Sequence, residues 1–313
     1  MISTAVAIRD PIFWRWHRRV DDVAYAWQEA QGARDFSKSP DTAPPVRMRK
    51  ELPGGEAGES PDIILCTKAS IGVADLDQDA ETAERFGSEQ FGGANWDRGP
   101  ASDPATSELG TIMVDRMVNW ADGTSADIRS LEPADDFAYF LRLENTSGAP
   151  AEVTVRIFLV AAAAADNRRL WIEMDKFLHT LGPSERAVVY RPSTQSAVIR
   201  KPPRRPGVIP AALDHEDTSD YCQCGWGYNL LLPRGTNEGM PFRLLVMLTD
   251  AAYDRLEPPG KCGSMSFCGV RDRYPDQRNM GYPFDRPLET SVTAALGAAE
   301  NVATRSLTIR RVG

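Results

Sequence analysis

The sequence predicts a mainly β protein, an antiparallel sandwich preceded by one amphipathic helix. Beyond residue 110 apolar residues recur at every second position, as in Val153-Thr154-Val155-Arg156-Ile157-Phe158-Leu159 and Leu170-Trp171-Ile172-Glu173-Met174. That is the period of a strand with two unlike faces. Turn formers separate the runs, among them Asn145-Thr146-Ser147-Gly148, Leu181-Gly182-Pro183-Ser184 and Pro233-Arg234-Gly235-Thr236. Long helical patterns are few, and many short strands with frequent turns fold as two packed sheets.

The helix comes first. Asp10-Pro11 reads as its start, because proline fixes φ and lacks the N–H that a first turn leaves unused, while the aspartate caps free amides. Phe13, Trp16, Val20, Val23 and Trp27 then recur at three- and four-residue steps, so one apolar face is expected to pack inward, with the helix ending near Gly32. Residues 33–61 are rich in Pro, Gly, Ser and charge, which is linker chemistry. Residues 63–66 read as a short first strand, and 75–104 as an acidic, Gly-rich irregular excursion. The spacing predicts further strands over 111–119, 136–144, 152–162, 169–178, 186–190, 197–200, 228–232, 241–249 and 305–311. The alanines at 161–165 read as a strand end running into a loop. The expected organisation is therefore a helical segment over 1–32, a linker and excursion over 33–109, and a β-sandwich over 110–313.

Composition narrows the function classes. The chain has 313 residues, 42% of them hydrophobic, enough for one large or two ordinary folded units. A net charge of -8, with no basic cluster interleaved with aromatics, makes nucleic acid and anionic membranes poor partners. No apolar run approaches the roughly 20 residues that span a bilayer. Residues 2–8 are too short for a secretory signal and lack a preceding basic region. The pairs Cys222-x-Cys224 and Cys262-x5-Cys268 have the density of a metal site, although zinc sites usually show two to four residues between paired cysteines. Zinc, disulfides and reduced thiols are all open to them. Cys66 is left over, most simply as a buried thiol.

The candidate chemistry lies in the first helix. His17 sits at the edge of the aromatic face and Asp21 follows one turn later, an arrangement able to keep an imidazole neutral and oriented as a metal ligand. The plainer reading is a partly buried histidine with one hydrogen bond. The wording of the stretch favours the first reading. Arg9-Asp10-Pro11-Ile12-Phe13-Trp14-Arg15-Trp16-His17, with Asp21, resembles the second copper-binding signature of the arthropod-type tyrosinases, the hemocyanins and prophenoloxidases. The closing blocks Tyr274-Pro275-Asp276 and Met280-Gly281-Tyr282-Pro283-Phe284-Asp285-Arg286 are similar to the same family, as are Val155-Arg156-Ile157-Phe158-Leu159 and Val246-Met247-Leu248-Thr249-Asp250. The likeness covers 1–30 and, discontinuously, about 110–312.

The resemblance implies an immunoglobulin-like sandwich packed on a helical copper domain, of which residues 1–32 are the copper B helix. It implies that His17 is the third ligand of copper B in a binuclear type-3 centre. Asp21, Phe13 and Trp16 are expected around it, the aspartate orienting the helix or an arginine and the rings packing on the imidazole. It further implies disulfides Cys222–Cys262 and Cys224–Cys268, and hence an extracellular or other oxidising compartment. Arg271, Asp272, Asp276 and Arg286 are expected to form exposed ion pairs that hold the closing loop.

A count of histidines limits the reading. A type-3 centre takes six, and this chain has three. His179 falls in a predicted strand, where it reads as a solvated or hydrogen-bonded sheet residue, and His215 lies in an acidic loop and matches no family ligand. The other ligands are expected before Met1, so the chain reads as the C-terminal part of a phenoloxidase that oxidises phenols or catechols to o-quinones with dioxygen. It would not be competent without the missing helical domain or a partner chain. The alternatives are a subunit completing a site with another chain, a fragment of an oxygen carrier, and a copper-free sandwich that scaffolds. Homo-oligomers are compatible with each.

Overall fold

The computed structural model describes residues 10–119, 123–199, 227–255, 276–279 and 281–313. Helix α1 spans Pro11–Glu29, with Pro11 in its first turn and the Asp10 carboxylate accepting from the amide of Ile12 at 2.9 Å. After it come β1 (Val46–Arg47), β2 (Ile63–Thr67), α2 (Lys68–Ile71), α3 (Ala80–Phe91), β3 (Glu108–Asn119), β4 (Ser125–Pro133), β5 (Phe137–Asn145) and β6 (Ala151–Ala161). Then follow β7 (Ile172–Leu181), β8 (Arg186–Pro192), β9 (Met240–Asp250), α4 (Val292–Ala298) and β10 (Val302–Arg311).

The strands form two sheets. In the smaller, β5 pairs with β1, β2 and β8. The larger has the order β4-β3-β10-β9-β6-β7. Between them lies the main core, where Ile63, Leu65, Tyr139 and Leu141 of the small sheet meet Val155, Ile157, Val246 and Ile309 of the large one. Each sheet is also covered outside. Phe91 and Ala83 of α3 pack with Ile71 on Ile64, Cys66 and Phe140. Val292 and Leu296 of α4 join Tyr282 and Phe284 on Phe158, Leu245 and Met247. Four layers result, which explains why β5 is buried almost throughout rather than at alternate residues.

The mainly β class and the preceding helix are present, with several departures from the sequence expectations. The sandwich is not wholly antiparallel, since β10 runs parallel to β3 over Thr308–Arg311. The 33–109 stretch is no plain linker: β1 and β2 belong to the small sheet and α3 roofs it. Its apolar residues are spread thinly over short elements, so no periodic run announces them. Gly87 of α3 is needed there, because a Cβ would lie 2.4 Å from the Phe140 ring. At 228–232 a 3-10 turn, Tyr228–Leu230, replaces the expected strand, with Tyr228 and Leu231 buried three residues apart. No strand forms at 197–199, where all three residues are buried without alternation. Both β4 and α4 went unpredicted, since β4 begins with five exposed residues and α4 is only seven residues long.

The closing segment is held by buried charge. Lys176, Asp276, Arg156, Asp254, Arg278, Asp41, Arg34 and Asp285 form one string of alternating sign. Lys176 lies 2.5 Å from Asp276, Arg156 is 2.8 Å from Asp276 and 3.0 Å from Asp254, and Arg278 is 2.8 Å from Asp41. Arg34, Arg156 and Arg278 also pack their guanidinium groups on the Tyr282 ring, 4.3 to 4.9 Å from its centre. The ion pairs expected to be exposed are therefore, for Asp276, buried ones. Among the described residues Arg286 reaches only its neighbour Asp285, at 3.4 Å, and Arg271 and Asp272 lie outside them. Burial pushes the Asp276 carboxyl up, but Arg156 and Lys176 outweigh it and hold the group down at about 2. Burial lowers the Lys176 ammonium, against the pull of Glu173.

Candidate functional site

The residues singled out in the sequence lie on α1. His17 is exposed, with the Phe13 ring 4.1 Å from its own, centre to centre, one turn back. Trp16, expected to pack beside it, is 65% exposed. The inward-packing face is in fact uncovered: no residue of α1 is buried, and Ile12, Val20, Val23 and Trp27 are each more than half exposed. This face meets no apolar surface among the described residues. Exposed aliphatic and aromatic side chains contiguous along a helix mark an interaction surface.

The opposite side of α1 is tied to the sandwich by a 3-10 turn, Arg168–Leu170, between β6 and β7. Asn167 caps that turn, accepting from the Arg169 amide at 3.1 Å. Arg169 then donates to Asp21 at 2.5 Å. Arg168 donates to Glu29, to Gln28 Oε1 at 3.1 Å and to the Phe284 carbonyl at 2.6 Å. Both guanidinium groups stand over the Tyr25 ring, at 4.9 and 4.1 Å. Asp21 thus meets Arg169, a residue that local sequence does not single out because it lies 148 positions away.

His179 sits in β7 opposite Val153, partly buried, and desolvation lowers its pKa. His215 and the four cysteines of the expected disulfides, Cys222, Cys224, Cys262 and Cys268, lie outside the described residues. Cys66 is fully buried, and burial pushes its thiol up to about 12. Among the described residues no group of three or more His, Cys, Asp or Glu side chains could hold a metal. His17 has no second imidazole beside it there. The residues of this chain that are described do not by themselves fit a type-3 copper centre, since each copper takes three imidazoles in that family.

Residues 125–311 match the family model described as the hemocyanin, ig-like domain. The chain belongs to the hemocyanin family. Its curated relatives include the hemocyanin AA6 chain of Androctonus australis, 30% identical across 94% of this chain but 42% of that protein. They also include phenoloxidase subunit 1 of Manduca sexta, 31% identical across 99% of this chain and 42% of the relative. This hemocyanin-family chain therefore spans about two fifths of the length of the relatives it matches. Among solved structures, a scorpion hemocyanin in its activated state superposes with a TM-score of 0.68 at 26% identity, covering 99% of this chain and 45% of the other. A crystal structure of AsqI with Zn shares the fold, with a TM-score of 0.63 at 20% identity over 97% of this chain and 45% of that one.

Proposed function

We propose that this chain is the C-terminal part of a type-3 copper phenoloxidase, a protein that oxidises phenols or catechols to o-quinones with dioxygen. The observation that supports the reading most is α1. A helix carrying the copper B signature, with His17 exposed beside an uncovered apolar face, sits in a chain that spans two fifths of phenoloxidases and hemocyanins. In this reading His17 is the third ligand of copper B and the only one this chain supplies. The remaining imidazoles come from a helical domain or partner chain outside the 313 residues. Phe13 packs on the imidazole, Asp21 orients the helix, and Trp16 faces the helices that complete the site. When bound, copper supplies the dioxygen chemistry. The sandwich contributes position and shielding.

Disulfides Cys222–Cys262 and Cys224–Cys268, and an oxidising compartment, belong to the same proposal. Peptide mapping without reduction tests the pairing directly. The hemocyanins among the relatives favour a second reading in which the completed centre carries dioxygen without oxidising a substrate.

The deciding experiment joins this chain to the helical half, by co-expression or as one reading frame, and measures copper and zinc content with oxygen uptake on a catechol. Copper at two per assembly with catechol-dependent oxygen uptake is expected, and His17→Ala should lose copper. Zinc in place of copper, or full copper in the His17→Ala protein, overturns the ligand assignment. No metal in any assembly would leave a copper-free sandwich that scaffolds.

A further inference from the structure

α1 turns its polar side to the sandwich and its aromatic side away. Asp21, Tyr25, Gln28 and Glu29 recur at helical steps, and each touches Arg168 or Arg169. Ile12, Trp16, Val20, Val23 and Trp27 occupy the opposite side of the same cylinder, and none is buried. An isolated amphipathic helix lying on a protein would settle the other way, with its apolar stripe against the surface beneath. The polar tether is what prevents this. It is a fixed one, because three attachment points over two turns define both the rotation and the height of the helix. Asp21 sets one end, Glu29 the other, and the Tyr25 ring fills the middle under two guanidinium groups.

We infer that the Arg168–Arg169 turn is an orientation clamp, which holds α1 so that its aromatic face is presented to an apolar helical layer, the metal-binding half of the protein. Arg169, acting through Asp21, is then a positioning residue for His17. The inference rests on the reading of His17 as a ligand. The occupant follows from length as well as chemistry, for relatives matched along almost all of this chain carry more than half of their own length beyond the matched part. His17 lies on the flank between the two faces, one turn before Asp21. A slip of the helix by one residue about its axis would swing the imidazole through about 100° and out of any coordination sphere. The clamp joins side chains that the sandwich itself fixes, since Arg168 also binds the Phe284 carbonyl next to the Tyr282 core. Sandwich and ligand are thereby held in one register.

The test uses Arg169→Glu, Asp21→Arg and the two together, which reverses the pair. In the 313-residue chain, hydrogen exchange of the amides over 11–29 is measured by mass spectrometry, with the sandwich amides as internal control. Each single variant should exchange at least tenfold faster over α1 with the sandwich unchanged, and the reversed pair should regain most of the protection. In the protein joined to its helical half, copper release to a chelator should be tenfold faster in Arg169→Glu and return towards the native rate in the reversed pair. Unchanged exchange, or exchange that the reversal does not restore, overturns the clamp. Exchange that follows the prediction with copper release unaltered overturns the positioning role of Arg169. If His17→Ala retains its copper, the ligand reading has failed, and the exchange data alone decide the clamp.

Discussion

Replacing Arg156 by methionine keeps the aliphatic bulk and removes one guanidinium from the middle of the buried string. The Arg156 side chain is wholly buried, lies 2.8 Å from Asp276 and 3.0 Å from Asp254, and donates to the Thr249 hydroxyl at 3.0 Å. Removing one partner of a buried pair typically costs about 3–5 kcal/mol, because the other charge is left without compensation. Here Asp276 retains Lys176 and Asp254 retains Arg278, so the lower end, about 3 kcal/mol, is expected. Urea unfolding followed by tryptophan fluorescence measures this as a lower midpoint with unchanged slope. The pH dependence adds a second constraint. Asp276 sits at about 2 in the folded protein, below the ordinary value of 3.8, so its contribution is complete above about pH 4 and is lost as pH falls towards 2. Without Arg156 the carboxyl moves back towards its ordinary value and much of that contribution is gone at every pH. The gap between native and variant proteins should therefore narrow by up to about 2 kcal/mol between pH 5 and pH 2. A cost below about 1 kcal/mol, or a gap that is constant with pH, would refute the argument.

Three further outcomes can be checked separately. The Cys66 thiol, fully buried and pushed up to about 12, should resist alkylation at pH 8 in the native protein and react on unfolding, as read by peptide mapping at that residue. Gly87→Ala should lower stability by about 1–3 kcal/mol, since the added methyl meets the Phe140 ring and α3 must lift from the small sheet; a thermal scan that shows no loss would refute the close approach. Gly235→Ala should be costlier than an exposed glycine change, because φ is +67° and a Cβ would lie 2.3 Å from the Ile309 carbonyl oxygen. Comparing its chemical denaturation with that of Gly148→Ala, whose site is open, tests this directly.

Where a strand has two unlike faces or a run of apolar residues, the sequence made it legible. β6, β9 and β10 appeared within a few residues of their bounds for that reason, as did α1 through Asp10-Pro11 and its three-four spacing. β4 escaped because Ser125, Ala126, Asp127 and Arg129 carry no alternation, and its pairing with β3 supplies the strand instead. The core of 33–109 is not legible because Val46, Met48, Ala83 and Phe91 belong to short elements without a sustained period, and they join two clusters on opposite faces of the small sheet only in the fold. The site shows the same division. His17 and Asp21 were visible as one helical turn, whereas Arg168 and Arg169 bear no local sign of their task. The direction of the apolar face is not legible in the sequence for a physical reason: periodicity reports that a helix has an apolar side and says nothing of where the covering surface lies.

The alternating string also bears on the order of assembly. Arg34 meets Asp285 across 251 positions, Arg278 meets Asp41 across 237 and Arg156 meets Asp276 across 120. Of the links only Arg34–Asp41, seven positions apart, is local, and a string halted midway would strand a dehydrated charge at its end. The segment leaving α1 and the segment before α4 must therefore dock in one cooperative step, after the sheet that carries Arg156 and Lys176 exists. Unfolding runs the same step backwards, so the two segments should lose protection as a single unit.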